Sequence, residues 1–125
     1  MPFVTVRYAP HLDSLEVIAA LSGLPEIIAR SLTCDDNYGQ LSAGDVEVKF
    51  EEQSPNDITK YQIEILVSAT DFPSRRSNIN DRAERIATIA CNTLAHHNVF
   101  GYELCIFVTL SPAGFAERLV FGGKR

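Results

Sequence analysis

The sequence predicts an α+β fold in which two β-α-β units form a four-stranded mixed sheet carrying two helices on one face. Three observations carry this expectation. Alternating segments rich in β-branched and aromatic residues start at Phe3 and Tyr61, about 58 residues apart. Each is followed by apolar residues spaced at three- and four-residue steps, and each of those stretches leads into another strand-like run. A right-handed crossover then makes the two strands of each unit parallel and puts both helices on the same side of the sheet.

The elements follow in order. Phe3–Tyr8 reads Phe-Val-Thr-Val-Arg-Tyr, the period-two pattern of a strand. Pro10 and His11 turn the chain, and Asp13 with Glu16 has the spacing of a capping box. Leu15, Ile18, Ala19 and Leu21 begin a helical stripe that Ile27, Ile28 and Leu32 continue. Gly23 and Pro25 interrupt it, which kinks one helix or divides two. Thr33 to Gly44 is polar and reads as a loop, and Val46–Phe50 alternates as a strand with one wet face. After a loop from Glu51 to Asp57, Tyr61–Ala69 supplies a third strand through Ile63, Ile65 and Val67. Phe72–Asn78 is an arginine- and serine-rich turn. Ile79, Ala83, Ile86, Ala87, Ala90 and Leu94 then mark a helix that ends at Asn98 and Gly101. Leu104–Leu110 is an almost unbroken apolar strand of the kind buried on both faces, and Leu119–Phe121 is a short apolar end. The second sheet face is therefore expected to be covered, by other subunits.

Length and charge limit the function. The 125 residues suffice for one domain, residues 1–125, read as a pseudo-repeat of 1–58 and 59–125. Sixteen acidic against eleven basic residues give a net charge of −5, which disfavours nucleic acid and anionic membranes as partners. No apolar run approaches a bilayer span, and the first ten residues lack the pattern of a signal peptide. Cys34, Cys91 and Cys105 are odd in number and share no metal-ligand spacing, so the expectation is reduced thiols, no metal and a cytoplasmic protein. His96 and His97 are adjacent on a helix and point about 100° apart, which suits capping or surface roles better than a shared ion.

The chemistry-bearing features are the Met1-Pro2 start and the Arg75-Arg76 pair. Met1 before a small second residue is the kind of methionine that amino-terminal processing removes, which would leave Pro2 as a secondary amine on a rigid strand. Desolvation and neighbouring cations would bring such an amine from a reference pKa near ~8 toward neutrality, fit for a general base or nucleophile. Arg75 and Arg76 precede a helix and offer planar forks that match a carboxylate.

The Met-Pro start, the repeated β-α-β pattern, and the stretch Val67-Ser68-Ala69-Thr70-Asp71-Phe72-Pro73-Ser74-Arg75-Arg76-Ser77 resemble the tautomerase superfamily. The pattern is similar above all to its larger, malonate semialdehyde decarboxylase-like members. Cys34-Asp35-Asp36-Asn37-Tyr38 looks like that group's acidic loop, and Gly114-Phe115 falls near its C-terminal aromatic segment. The resemblance implies a cofactor-independent tautomerase assembled as a homotrimer, with Pro2 as base and Asp36 assisting water or proton chemistry. It further implies that Arg75, Arg76 and Phe115 bind a small enol or keto carboxylic acid. Decarboxylation or dehalogenation of a three-carbon acid is the alternative on the same layout, and an inactive ferredoxin-like or tautomerase-fold binding module is the non-enzymatic one. The second strand carries Glu47 where short members of the family carry an arginine, and the first β-α turn has no arginine. Tyr38, Tyr102 and Phe115 are further aromatic candidates for lining a pocket.

Overall fold

The computed structural model describes residues 2–36, 39–114 and 116–122. Strands β1 (Phe3–Tyr8), β2 (Glu47–Glu52), β3 (Ile63–Thr70) and β4 (Leu104–Ser111) form one sheet in the order β2-β1-β3-β4. β1 runs parallel to β2, β3 runs parallel to β4, and the two central strands, β1 and β3, are antiparallel. Each parallel pair is thus one β-α-β unit, and the two units meet along β1 and β3.

The helices divide as the glycine and proline signals direct. α1 (Ser14–Ala20) stops before Gly23, and α2 (Leu24–Leu32) restarts with Pro25 in its first turn, where a missing N–H costs nothing. Asp13 caps α1, its Oδ1 accepting from Leu15 N at 3.1 Å and Glu16 N at 3.3 Å. Glu16 does not complete a capping box; its carboxylate pairs instead with His97 Nδ1 at 3.1 Å, tying α1 to the end of the long helix. The arginine-rich turn contains one helical turn, α3 (Pro73–Arg76), ahead of α4 (Ile79–His96). α4 ends in a Schellman motif: Asn98 is left-handed at φ 58°, its N–H bonds Ala95 O, and Val99 N–H bonds Leu94 O, both at 3.0 Å.

One sheet face is the core. Val4, Val6 and Tyr8 on β1 stand opposite Val67, Ile65 and Ile63 on β3, and all six are buried beneath Val17, Leu21, Leu24, Ile28, Ile86 and Leu94 of the helices. Each such side chain contributes roughly 1.5–3 kcal/mol by leaving water. The opposite face is open. Phe3, Leu66 and Phe107 are exposed on it, Leu66 paired with Phe107, and Arg7 is bound there by Asp57 at 2.7 Å and Glu64 at 3.1 Å. β4 is an edge strand, buried on both faces neither by the helices nor by its own chain; Phe107 is 64% exposed. Leu119, Val120 and Phe121 are irregular and exposed. No helix of the described residues is long and apolar enough to cross a membrane.

Candidate active site

The antiparallel junction of the two units brings the start of β1 beside the ends of β3 and β4. A pocket of about 740 Å³ opens there, within the range that holds a small-molecule ligand. Phe3 from β1, Ser68, Ala69 and Thr70 from β3, and Ser111 from β4 form its floor. Phe72, at the cap of α3, forms a wall. Gln40, Leu41 and Asp45 enter from the loop before β2, and Ala113, Gly114 and Glu117 from the segment after β4.

Pro2 does not line this pocket; it directly precedes Phe3, which does. Pro2 is buried, and its carbonyl accepts from Glu47 N at 3.1 Å, so β2 anchors the residue just ahead of β1. Continuing the β1–β3 register, in which Phe3 faces Ser68, puts Pro2 level with Ala69. Met1, whose removal decides the chemistry of Pro2, lies outside the described residues, as do Tyr38 and the expected substrate contact Phe115.

The loop from Thr33 to Asp45 is held by a chain of short-range bonds. Cys34 N bonds Gly39 O at 3.0 Å, Gly39 N bonds Asp36 O at 2.8 Å, and Leu41 N bonds the Thr33 hydroxyl at 3.1 Å. The turn is so tight that a Cβ at Gly39 would run into Cys34 Sγ and the Asp36 carbonyl. Asp45 closes the loop in a capping box, its carboxylate accepting from Ser42 N at 2.9 Å and Ser42 Oγ at 3.1 Å. Those bonds, backbone first, hold Asp45 below the ordinary carboxylate pKa. Ser42-Ala-Gly-Asp45 is a legible capping signal in the sequence, but nothing local announces that its acid faces a pocket.

Arg75 is the best-buried charged side chain among the described residues, 2% exposed. Its Nε donates to Leu32 O at 2.7 Å, Nη1 to Thr70 O at 2.8 Å and Nη2 to Gly39 O at 3.2 Å. The guanidinium also lies 5.1 Å from the centre of the Phe72 ring. Burial, followed by neighbouring Arg82, lowers its pKa, while Cys34 and Asp36 act the other way. This geometry joins the end of α2, the Gly39 turn and the end of β3, with the fork turned to backbone rather than to the pocket. Arg76 is 60% exposed at its side chain and stands 3.5 Å from Asp71 Oδ1. Asp36 Oδ2 accepts from Ser74 N at 3.3 Å and Ser74 Oγ at 2.9 Å, at the first turn of α3. Asp36, Arg75 and Arg76 are therefore brought together around α3, next to the pocket wall, but none of them lines the pocket.

The remaining candidates lie elsewhere. Tyr102 packs against the core, and burial, followed by a hydrogen bond with Cys91, pushes its pKa up to about 12. Among the described residues no group of three or more His, Cys, Asp or Glu side chains is placed to hold a metal. Phe3, Phe72, Thr70, Asp45 and Glu117 were not singled out by the sequence as site residues; they converge only through the sheet topology.

No family model matches the chain, and no curated protein matches it. Solved structures do. A macrophage migration inhibitory factor-like protein from Entamoeba histolytica is similar with a TM-score of 0.58 at 10% identity, covering 89% of each chain. A fused 4-OT symmetric trimer is similar with a TM-score of 0.59 at 13% identity over 94% of each chain. A malonate semialdehyde decarboxylase inhibited by 3-bromopropiolate gives 0.59 at 12% identity, over 92% of this chain and 91% of that one. The likeness is one of fold: this chain has the tautomerase-superfamily fold.

Proposed function

We propose that the protein is a cofactor-independent enzyme of the tautomerase type. In this reading Pro2, freed by removal of Met1, carries a proton between carbon and oxygen of a small carbonyl compound held in the pocket above β1 and β3. The observation that supports it most is the position of Pro2: buried, anchored by Glu47 N, and next in sequence to a pocket-lining residue at the meeting point of the two units. A secondary amine there is a base near neutral pH. The hydroxyls of Ser68, Thr70 and Ser111 and the amide of Gln40 line the same cavity and would polarise the carbonyl oxygen as the enol forms.

The other expected site residues take supporting parts. Asp36 caps α3, Arg75 holds the loop against β3, and Arg76 pairs with Asp71 outside the cavity. The similarity to a malonate semialdehyde decarboxylase keeps decarboxylation as a second reading on the same base. The exposed apolar face carrying Phe3, Leu66 and Phe107 supports a homotrimer, as in the fused 4-OT structure, with that face against neighbouring copies.

The test is keto–enol interconversion of a small carbonyl compound, with intact mass reporting Met1. The processed protein should be active. A variant with a lysine inserted between Met1 and Pro2, which keeps the proline ring but makes its nitrogen an amide, should lose roughly 10²–10⁴-fold. Full activity in that variant would refute the role of Pro2.

A further inference from the structure

A second cleft, of about 320 Å³, lies on the helical side of the molecule, where the end of α2 meets the start of α4. Arg30, Ser31 and Thr33 line it from α2 and its C-cap, and Asn78, Asp81, Arg82 and Arg85 from the first turns of α4. The helices cover the sheet face opposite the exposed one, so copies packed against Phe107 leave this cleft as it stands.

Four features converge on it. Arg82 is a fixed frame: its Nη1 donates to Ser31 O at 2.9 Å and Thr33 O at 2.8 Å, neutralising the carbonyl end of α2, and its Nε donates to Asn78 Oδ1 at 2.6 Å. That last bond turns the N-cap side chain of α4 away from its own first turn, so this 18-residue helix presents its positive end without a side-chain cap. Arg85 is exposed and enters none of the ion pairs among the described residues, and Arg30 holds Glu26 only through an exposed pair that is easily exchanged. Ser31 is 2% exposed, and its hydroxyl has no hydrogen-bond partner among the described residues. A buried hydroxyl left unmade costs about 1–3 kcal/mol, which a ligand accepting its proton would recover.

We infer that this cleft is a binding site for a phosphate group. Three arginines against the single carboxylate of Asp81 favour a dianion. A tetrahedral phosphate has enough oxygens to meet two guanidinium forks, the first-turn N–H groups of α4 and the Ser31 hydroxyl at once, whereas a carboxylate has two. The site is separate from the Pro2 pocket and does not depend on the chemistry proposed there.

The test is an NMR titration of the full-length protein at constant ionic strength with inorganic phosphate, phenyl phosphate and benzoate, read at the amides of Asn80 and Asp81. Both phosphates should give saturable shifts and bind at least tenfold more tightly than benzoate. Tighter binding of phenyl phosphate than of inorganic phosphate would identify a phosphate ester as the ligand, and equal binding the free ion; either supports the site. The double variant Arg30→Gln, Arg85→Gln changes only exposed side chains and should weaken phosphate binding roughly tenfold. Asp81→Asn should tighten it about two- to fivefold. Ser31→Ala removes no side-chain bond made within the chain; it should weaken binding about threefold while leaving the urea midpoint unchanged or raised. Shifts that do not saturate, benzoate binding as tightly as the phosphates, or a double variant with wild-type affinity would each overturn the inference.

Discussion

Replacing Arg75 separates a structural strut from a substrate ligand. In Arg75→Met the side chain keeps its length and loses the fork. Leu32 O and Thr70 O lose their 2.7 and 2.8 Å charge-assisted partners, while Gly39 O retains the bond from Cys34 N. An orphaned buried carbonyl costs about 1–3 kcal/mol. Loss of the contact with the Phe72 ring adds about 0.5–2 kcal/mol, and relief from burying a charge offsets part of the sum. The expected net destabilisation is about 3–5 kcal/mol, a large share of the roughly 5–15 kcal/mol that holds a domain together. Urea unfolding followed by circular dichroism reads it, with a fall in Tm of roughly 10–20 °C as the thermal counterpart. Arg75→Lys should recover less than half, because one ammonium cannot bridge three carbonyls from three segments. An Arg75→Met protein that unfolds within about 0.5 kcal/mol of wild type, but binds a carboxylate ligand more weakly, would refute the strut and restore the substrate role.

Three further outcomes follow from the same geometry. Ile65→Ala removes a fully buried side chain from the centre of β3 and should cost roughly 2–5 kcal/mol in urea unfolding, whereas Ile58→Ala, fully exposed, should cost less than about 0.5 kcal/mol. Phe107→Asp on the open sheet face should leave the unfolding of the isolated chain little changed and shift the proposed trimer to monomer by sedimentation velocity; a variant that sediments as a trimer would refute this face as the interface. Asp45, with its pKa lowered in the fold by Ser42, adds stability that is present above the unfolded carboxylate value near ~3.9 and is lost as pH falls through the lowered folded value. Asp45→Asn should therefore flatten the fall of the urea midpoint with pH on the acid side, and an unaltered slope would argue against the Ser42 bonds.

Much of the fold is visible in local pattern because local physics decides it. Period-two alternation marks β1 and β3, Pro25 restarts a helix after Gly23, and Asn98 adopts the left-handed conformation that ends α4. The apolar run of β4 does not reveal which of its faces the chain itself covers: one packs toward the helices, while the other carries Phe107 exposed. The site is less legible. Arg75-Arg76 beside a helix start reads as an exposed anion clamp, and only the approach of carbonyls from Leu32, Gly39 and Thr70 turns the first arginine inward. Asp45 and Glu117 lie far apart in the sequence and line one cavity through the pairing of β1 with β3 and of β3 with β4. Pro2 stands between these cases, since its place just ahead of a strand is local but its burial is not.

The most direct measurement is a ¹⁵N NMR titration of the protein labelled at proline nitrogen. Six prolines give six signals, and an amide nitrogen does not titrate. Pro2 as a free base predicts one signal that moves with pH in the neutral range. Its midpoint should fall in Asp45→Asn, because removing a nearby carboxylate disfavours the protonated amine. Six signals that stay fixed from pH 5 to 10 would mean that Pro2 is an amide in the folded protein, and the proposed chemistry would be contradicted.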